Sequence, residues 1–344
     1  MLTRTSFRFS PSGDYAACVT STDPSTWYVE RWSLRSPAPD SDGADDGAAD
    51  ALARPEAVPG LTPSGSQTRL LPLDDGAVLL HRPRIDRHEI VLGRPNDATH
   101  VVVAVPALGL QLLPHPADDV LALVITTQPD PSSTLWLLRV RSGALEPLLT
   151  IPGLVVGGTW LDRNAGRLAV NRAHQGRLSC VAIDLNTGSL APLWPANPSL
   201  RLLLTDTTAG GGAETTLFVV ADKSGRIGWA KAEGDEPQWP SDLQARHNPW
   251  PLAIDPAGEQ IAVRLDHGAR SGLLLYRRHT DSSVNLPLPA GTLGGTASWT
   301  SRGLRVPFSG PDHPAGIAEV APGNVRMLVP PDDPASQQPT GELP

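Results

Sequence analysis

Only two cysteines, Cys18 and Cys180, occur in 344 residues, too few for a disulfide framework. Each sits in an apolar run, Tyr15 to Val19 and Leu178 to Ile183, where a free thiol behaves as a small buried hydrophobe. No run approaches the roughly 18 apolar residues that a membrane helix needs, so no membrane partner is expected. Met1 to Phe9 lacks the apolar stretch of a signal peptide, and the expected location is the cytoplasm. Lysine is almost missing: Lys223 and Lys231 stand beside twenty-six arginines. That skew is what a GC-rich, actinobacterial kind of genome produces, and it carries no chemistry. Basic side chains number 28 against 36 acidic ones, for a net charge of −8. Such a balance argues against a nucleic-acid clamp.

Motifs that hold cofactors are missing as well. There is no phosphate loop, no dinucleotide fingerprint, no His-Glu-x-x-His and no paired-cysteine motif, so no cofactor and no metal site is expected. Asp40-Ser41-Asp42-Gly43, followed by Asp45 and Asp46, departs from EF-hand spacing because its fifth position is Ala44. It reads as a solvated acidic loop.

What the chain does have is turns. Glycine and proline together make 68 of 344 residues, well above the ~12% of an average protein. Apolar residues, at 40%, suffice for a core. Proline or glycine interrupts nearly every window of a dozen residues, which excludes long helices and favours an all-β fold.

A unit repeats along the chain: short strand, turn with Asp or Gly, apolar strand, polar loop, apolar strand, Gly turn, short strand. The first turn is Ser10-Pro11-Ser12-Gly13-Asp14-Tyr15-Ala16, then Pro72-Leu73-Asp74-Asp75-Gly76-Ala77-Val78. It returns as Asp162 to Val170, as Asp255 to Val263 and as Ser301 to Val306. Gly76 and Gly166 are 90 residues apart, Gly166 and Gly258 are 92 apart, and Gly258 and Gly303 are 45 apart. Two weaker anchors fall near Asp119, in Pro114-His115-Pro116-Ala117-Asp118-Asp119, and near Gly212. Seven units of four strands at this period are the signature of a seven-bladed β-propeller. Blades are expected to start near Thr5, Gln67, Leu108, Val155, Leu200, Asn248 and Gly294. One propeller domain is expected over residues 1–331, with an acidic disordered insertion over 37–59 in the first blade and a disordered tail over 332–344. Trp136, Trp160, Trp194, Trp229, Trp250 and Trp299 recur near strand positions, as wedges between blades would. Trp27 and Trp239 lie near loops and are the better candidates for exposed contacts.

Ser10 to Ala17 and Asp255 to Val263 resemble the TolB/Tricorn-type propeller repeat. Val181-Ala182-Ile183-Asp184-Leu185-Asn186-Thr187-Gly188 is similar to its third strand and hairpin. The Gly-His and Trp-Asp signatures of WD repeats are missing. Within that class the resemblance is to the N-terminal propellers of the prolyl oligopeptidase family, and it spans nearly the whole chain. In those peptidases the propeller gates an α/β-hydrolase domain whose nucleophile sits in Gly-x-Ser-x-Gly. No such pentapeptide occurs here, so no catalytic triad carries over.

Function in such a ring lives in loops. Loops between second and third strands share one face, and His88, His174, His267 and His313 fall in them. Asp266-His267 and Asp312-His313 come from consecutive blades, and a carboxylate beside an imidazole suits proton transfer. These four are the candidate catalytic residues. Arg172, His174 and Arg264 are candidates for binding an anionic or carboxylate ligand. Asp and His also cap turns for purely structural reasons, and a metal would need ligands that the pattern does not supply. The first expectation is a stand-alone binding or interaction scaffold without peptidase chemistry, its protein or small-molecule partner sitting on that face. Two alternatives stand beside it. One is a lyase, isomerase or cyclase of small-molecule biosynthesis working at the propeller mouth. The other is the gating subunit of a split peptidase whose α/β-hydrolase is separately encoded.

Overall fold

The segment Val120–Thr127 reads Val-Leu-Ala-Leu-Val-Ile-Thr-Thr, and only its last residue escapes burial. An unbroken apolar run with β-branched members suits a strand covered on both faces. Strands of this kind are the middle layers of seven antiparallel sheets in the computed structural model, which describes residues 2–23, 25–34, 53–63, 65, 68–205, 217–311, 315–321 and 324–328. The sheets are the blades of a seven-bladed β-propeller.

The strand nearest the axis opens each blade: Thr3–Phe9, Arg69–Pro72, Gly109–Leu113, Leu154–Trp160, Arg201–Thr205, Pro249–Ile254, and in the seventh the two pieces Thr292–Leu293 and Ser298–Thr300. Every start lies within two residues of the position expected from the repeat. Blade 5 departs from four regular strands. Its outermost position is reduced to a bridge between Trp229 and Gln238, followed by the short helix Ser241–Gln244.

The first blade corrects one expectation. Residues 35–52 lie outside the described residues, and with them Asp40 to Asp46. Arg54–Ala57, inside the stretch assigned to the insertion, is the outer strand of blade 1, paired with Thr26–Ser33. Residues 329–344, which include the expected tail, also lie outside the described residues.

Burial between blades supplies the core. Each of the seven gaps holds its own apolar cluster, from Leu79, Ile90, Leu121 and Val124 between blades 2 and 3 to Ala253, Leu273, Val306 and Phe308 between blades 6 and 7. Trp160, Trp194 and Trp229 are buried wedges as expected, and Trp136 and Trp299 are partly buried. Trp250 is the exception: 52% exposed, it faces the axis. Trp27 and Trp239 are half-buried against the clusters of blades 1–2 and 4–5.

Among the described residues, ring closure uses no shared strand. The N-terminal strand pairs only within blade 1, and the strands of blade 7 come from residues 292–328. Side chains join the two. Phe7, Cys18 and Trp32 pack on Ile317 and Leu328. Arg4 donates to Ala315 O at 3.2 Å, Arg305 donates to Gly13 O at 2.9 Å, and Thr296 Oγ1 donates to Phe7 O at 2.8 Å. Gly13 has φ +72°, and a Cβ there would lie 2.5 Å from Ser298 Oγ, so the close approach of the two blades requires glycine.

Candidate functional site

Strand alternation decides what the expected site can do. Asp266 and His267 are successive residues of the strand Gln260–His267, so their side chains leave on opposite faces. No hydrogen bond joins them. Asp266 instead accepts from Ser271 Oγ at 2.8 Å and pairs with Arg264 at 3.0 Å. His267 is exposed at the hairpin end, opposite Arg270. Asp312 and His313 lie outside the described residues, as does part of their loop.

The expected anion ligands do not converge. Arg264 belongs to blade 6 and reaches Leu293 O of blade 7 at 3.3 Å, while its buried Nε has no partner. Arg172 belongs to blade 4, two blades away, and donates from Nε to Pro152 O at 2.6 Å. His174, on the same strand, packs beside Gly153. On blade 2 the same face carries Glu89, which is 7% exposed and held by Arg82, Arg84 and Arg87 at 2.9–3.2 Å. Burial works to raise its pKa, and hydrogen bonds from Arg84, Arg82 and Arg87 overrule it and hold the carboxyl below its usual value. Beneath it, His81 Nε2 and His88 Nδ1 meet at 2.8 Å.

A large cavity opens on the opposite face. It has a volume of about 850 Å³ and is walled by the turns between first and second strands of blades 1 to 4. Pro11, Asp74, Asp75, the segment Pro114 to Asp118, Asp162 and Arg163 contribute these turns. His115 and Trp160 form its centre, edge to face with ring centroids 4.9 Å apart. Trp160 Nε1 donates to Pro114 O at 2.7 Å, and His115 Nδ1 accepts from the Ala117 N–H at 3.1 Å. With Nδ1 accepting, the neutral ring carries its hydrogen on Nε2. Burial lowers the His115 pKa, against the opposing pull of Asp119, so the ring is neutral near pH 7. Several carboxylates here are already engaged: Asp74 accepts from Ser12 N at 2.9 Å, Asp75 pairs with Arg94 at 2.6 Å, and Asp162 caps Gly166 N at 2.9 Å. Asp118 makes no hydrogen bond or ion pair among the described residues. The lining contains no serine, cysteine, lysine or tyrosine. Cys18 and Cys180 are buried elsewhere, their thiols pushed up to about 12 chiefly by burial.

Neither the repeat nor the composition pointed to this cavity. One signal was present: the turn of blade 3 carries Pro114-His115-Pro116 where other blades carry a glycine anchor. Among the described residues no three His, Cys, Asp or Glu side chains gather as metal ligands would, and no helix is long and apolar enough to cross a membrane.

The β-propeller domain of the Trilobed protease from Pyrococcus furiosus, described as having an open velcro topology, superposes with a TM-score of 0.66 at 12% identity, over 98% of both chains. The fold is that of the peptidase-associated propellers. The Pyrococcus horikoshii acylaminoacyl peptidase matches with a TM-score of 0.61 at 12% identity, over 96% of this chain and 53% of that one. A puromycin hydrolase matches with 0.61 at 13% identity, over 97% of this chain and 55% of that one. The chain therefore spans about half the length of these two enzymes, and at such identities the likeness is one of fold. No family model matches the chain, and no curated protein matches it in sequence.

Proposed function

We infer that this propeller is a binding or interaction scaffold with no peptidase chemistry of its own. One observation carries the reading: the cavity of about 850 Å³ on the face of the first-to-second-strand turns. Its size falls in the range of small-ligand sites, and it joins apolar walls to a few fixed polar groups, as such sites do. Leu113, Leu121, Val140 and Trp160 supply the walls, and the His115 Nε2–H and the free Asp118 carboxylate supply polarity. Acyl transfer needs a nucleophile within hydrogen-bond reach of a base, with donors placed for the oxyanion. The lining's one hydroxyl, that of Thr159, makes no hydrogen bond to His115, the lining's one imidazole base. The test is exposure of the purified chain to a serine-directed fluorophosphonate. No labelling is expected, and stoichiometric labelling of one serine would overturn the reading.

The split-peptidase alternative is favoured by one observation, the half-length match to an acylaminoacyl peptidase and a puromycin hydrolase. In that case the ring docks onto a separately encoded α/β-hydrolase, and recombining the two chains is expected to change the hydrolase's size selectivity for peptides. Unchanged selectivity, or no complex, would remove this alternative.

A further inference from the structure

Charge is distributed unevenly between the axis and the rest of the ring. The chain carries 36 acidic residues and a net charge of −8, yet the axis-lining strands of all seven blades contain no aspartate and no glutamate. They do contain Arg4, Arg8, Arg69 and Arg201. Arg4 turns away from the axis into a buried ion pair with Glu30 at 2.7 Å. Arg69 donates to Leu110 O at 3.4 Å and makes no ion pair among the described residues. Arg8 has no hydrogen bond and no ion pair among the described residues.

Arg8 nonetheless lines a cavity of about 350 Å³ together with Leu203 and Leu204 of blade 5, Trp250 and Leu252 of blade 6, and Thr296 of blade 7. Blades 1 and 5 are not neighbours, so side chains from both can meet only across the axis. The walls are mainly apolar, and low-dielectric walls concentrate the field of a like-charged pair. Arg8 is exposed to solvent within this cavity, so its unpaired guanidinium is open to an incoming anion without giving up another partner first.

We propose that this axial cavity binds a small organic monoanion, a carboxylate with an apolar or aromatic body. The carboxylate sits on the Arg8 guanidinium, whose fork of N–H donors matches its two oxygens. Arg69 adds attraction from the adjacent blade. The body lies against the half-exposed face of Trp250 and the side chains of Leu203 and Leu252. Donor count sets the charge of the ligand. Thr296 has already given its hydroxyl hydrogen to Phe7 O, so the cavity presents one free guanidinium, enough for a monoanion and too little for a phosphate dianion. This site is separate from the cavity around His115 and Trp160, and the two readings fail independently.

The test uses the full chain and two probes, phenylacetate and 1-naphthylacetate, followed by tryptophan fluorescence and calorimetry at low salt. Saturable one-to-one binding of at least one probe is expected, weakened by added salt. The matching neutral amide should bind at least about tenfold more weakly, because the charge-assisted hydrogen bonds are lost. Arg8→Met should weaken the acid by a similar factor with an unchanged melting temperature, while Arg141→Met, at an exposed turn, should bind like the parent. If Arg8→Met fails to fold, the comparison of acid with amide on the parent chain decides. The proposal is overturned by absence of saturable binding for both acids, by equal affinity for acid and amide, by full binding in folded Arg8→Met, or by inorganic phosphate binding as tightly as the acids.

Discussion

Glu30→Ala is expected to cost about 3–5 kcal/mol of folding stability, the usual penalty for stranding one partner of a buried ion pair. Arg4 and Glu30 meet at 2.7 Å with side chains only 4% and 8% exposed. The same carboxylate accepts from Tyr28 OH at 3.2 Å and from the Cys18 thiol at 3.8 Å. Without it, a guanidinium lying over Trp32 at 5.0 Å keeps its charge and loses its counter-ion. Arg4 also donates to Ala315 O, so the damage falls where blade 1 meets blade 7, which share no strand among the described residues. Glu56→Ala is the contrast. Glu56 pairs with Arg31 on the surface, with side chains 45% and 17% exposed, and an exposed pair contributes below about 1 kcal/mol. Urea unfolding of the three proteins checks both values. A Glu30→Ala chain within experimental error of the parent would mean that the pair does not hold the closure.

Acid should weaken the ring well before its carboxylates titrate. His81 is 8% exposed, and its pKa is pushed down to about 4, first by burial, then by His88 and then by Arg69. An unfolded histidine titrates near 6.5. Between those values the unfolded chain holds a proton that the folded ring refuses. Stability is therefore complete above about pH 6.5 and falls as the pH drops toward 4, by roughly 3 kcal/mol in all. His115, whose pKa burial also lowers, adds a loss of the same sign. Asp222 acts in a different window: burial opposes its ionisation, but hydrogen bonds from Ser224 and Arg226 hold its pKa at about 2, so its contribution is lost only at lower pH. Urea midpoints of the parent and His81→Gln between pH 7 and pH 4 read the effect. The variant should show a flatter slope, and an equal slope would remove His81 as the cause.

The fold was legible because one period governs the chain. The period is marked by turns between first and second strands, such as Ser10 to Asp14 and Asp255 to Gly258, whose residue types are dictated by backbone geometry and so survive in the sequence pattern. Outer strands are less visible. Arg54–Ala57 is four residues long, contains Pro55 and pairs on one side only, so it needs no apolar run and reads as part of the acidic stretch before it. Trp250 misled for a related reason. Trp250-Pro251-Leu252-Ala253-Ile254 looks like core, yet Trp250 lines the axial cavity, and a register shift between Pro251 and Ala253 breaks the alternation so that Leu252 and Ala253 both pack in the gap between blades 6 and 7.

The binding surface was harder to read. Asp266 and His267 are adjacent in sequence, and the pleat separates them. His115 and Trp160 are 45 residues apart, one full period, and the ring brings them into contact. Propeller sites are assembled across blades, so the informative spacing is the repeat length rather than a local motif. Arg8 and Trp250 extend the same rule, since they are far apart in the chain and share a cavity only because the ring closes.

Crystals of the chain soaked with a library of small neutral and polar fragments provide the deciding measurement for a binding role. Electron density for several unrelated fragments should concentrate in the cavity between His115, Asp118 and Trp160. Those same fragments should be lost from Ala117→Trp, whose indole fills the entrance at an exposed turn without touching a blade core. Fragments found only on other surfaces, or retained unchanged in Ala117→Trp, would contradict the assignment of this cavity as the place where the propeller binds.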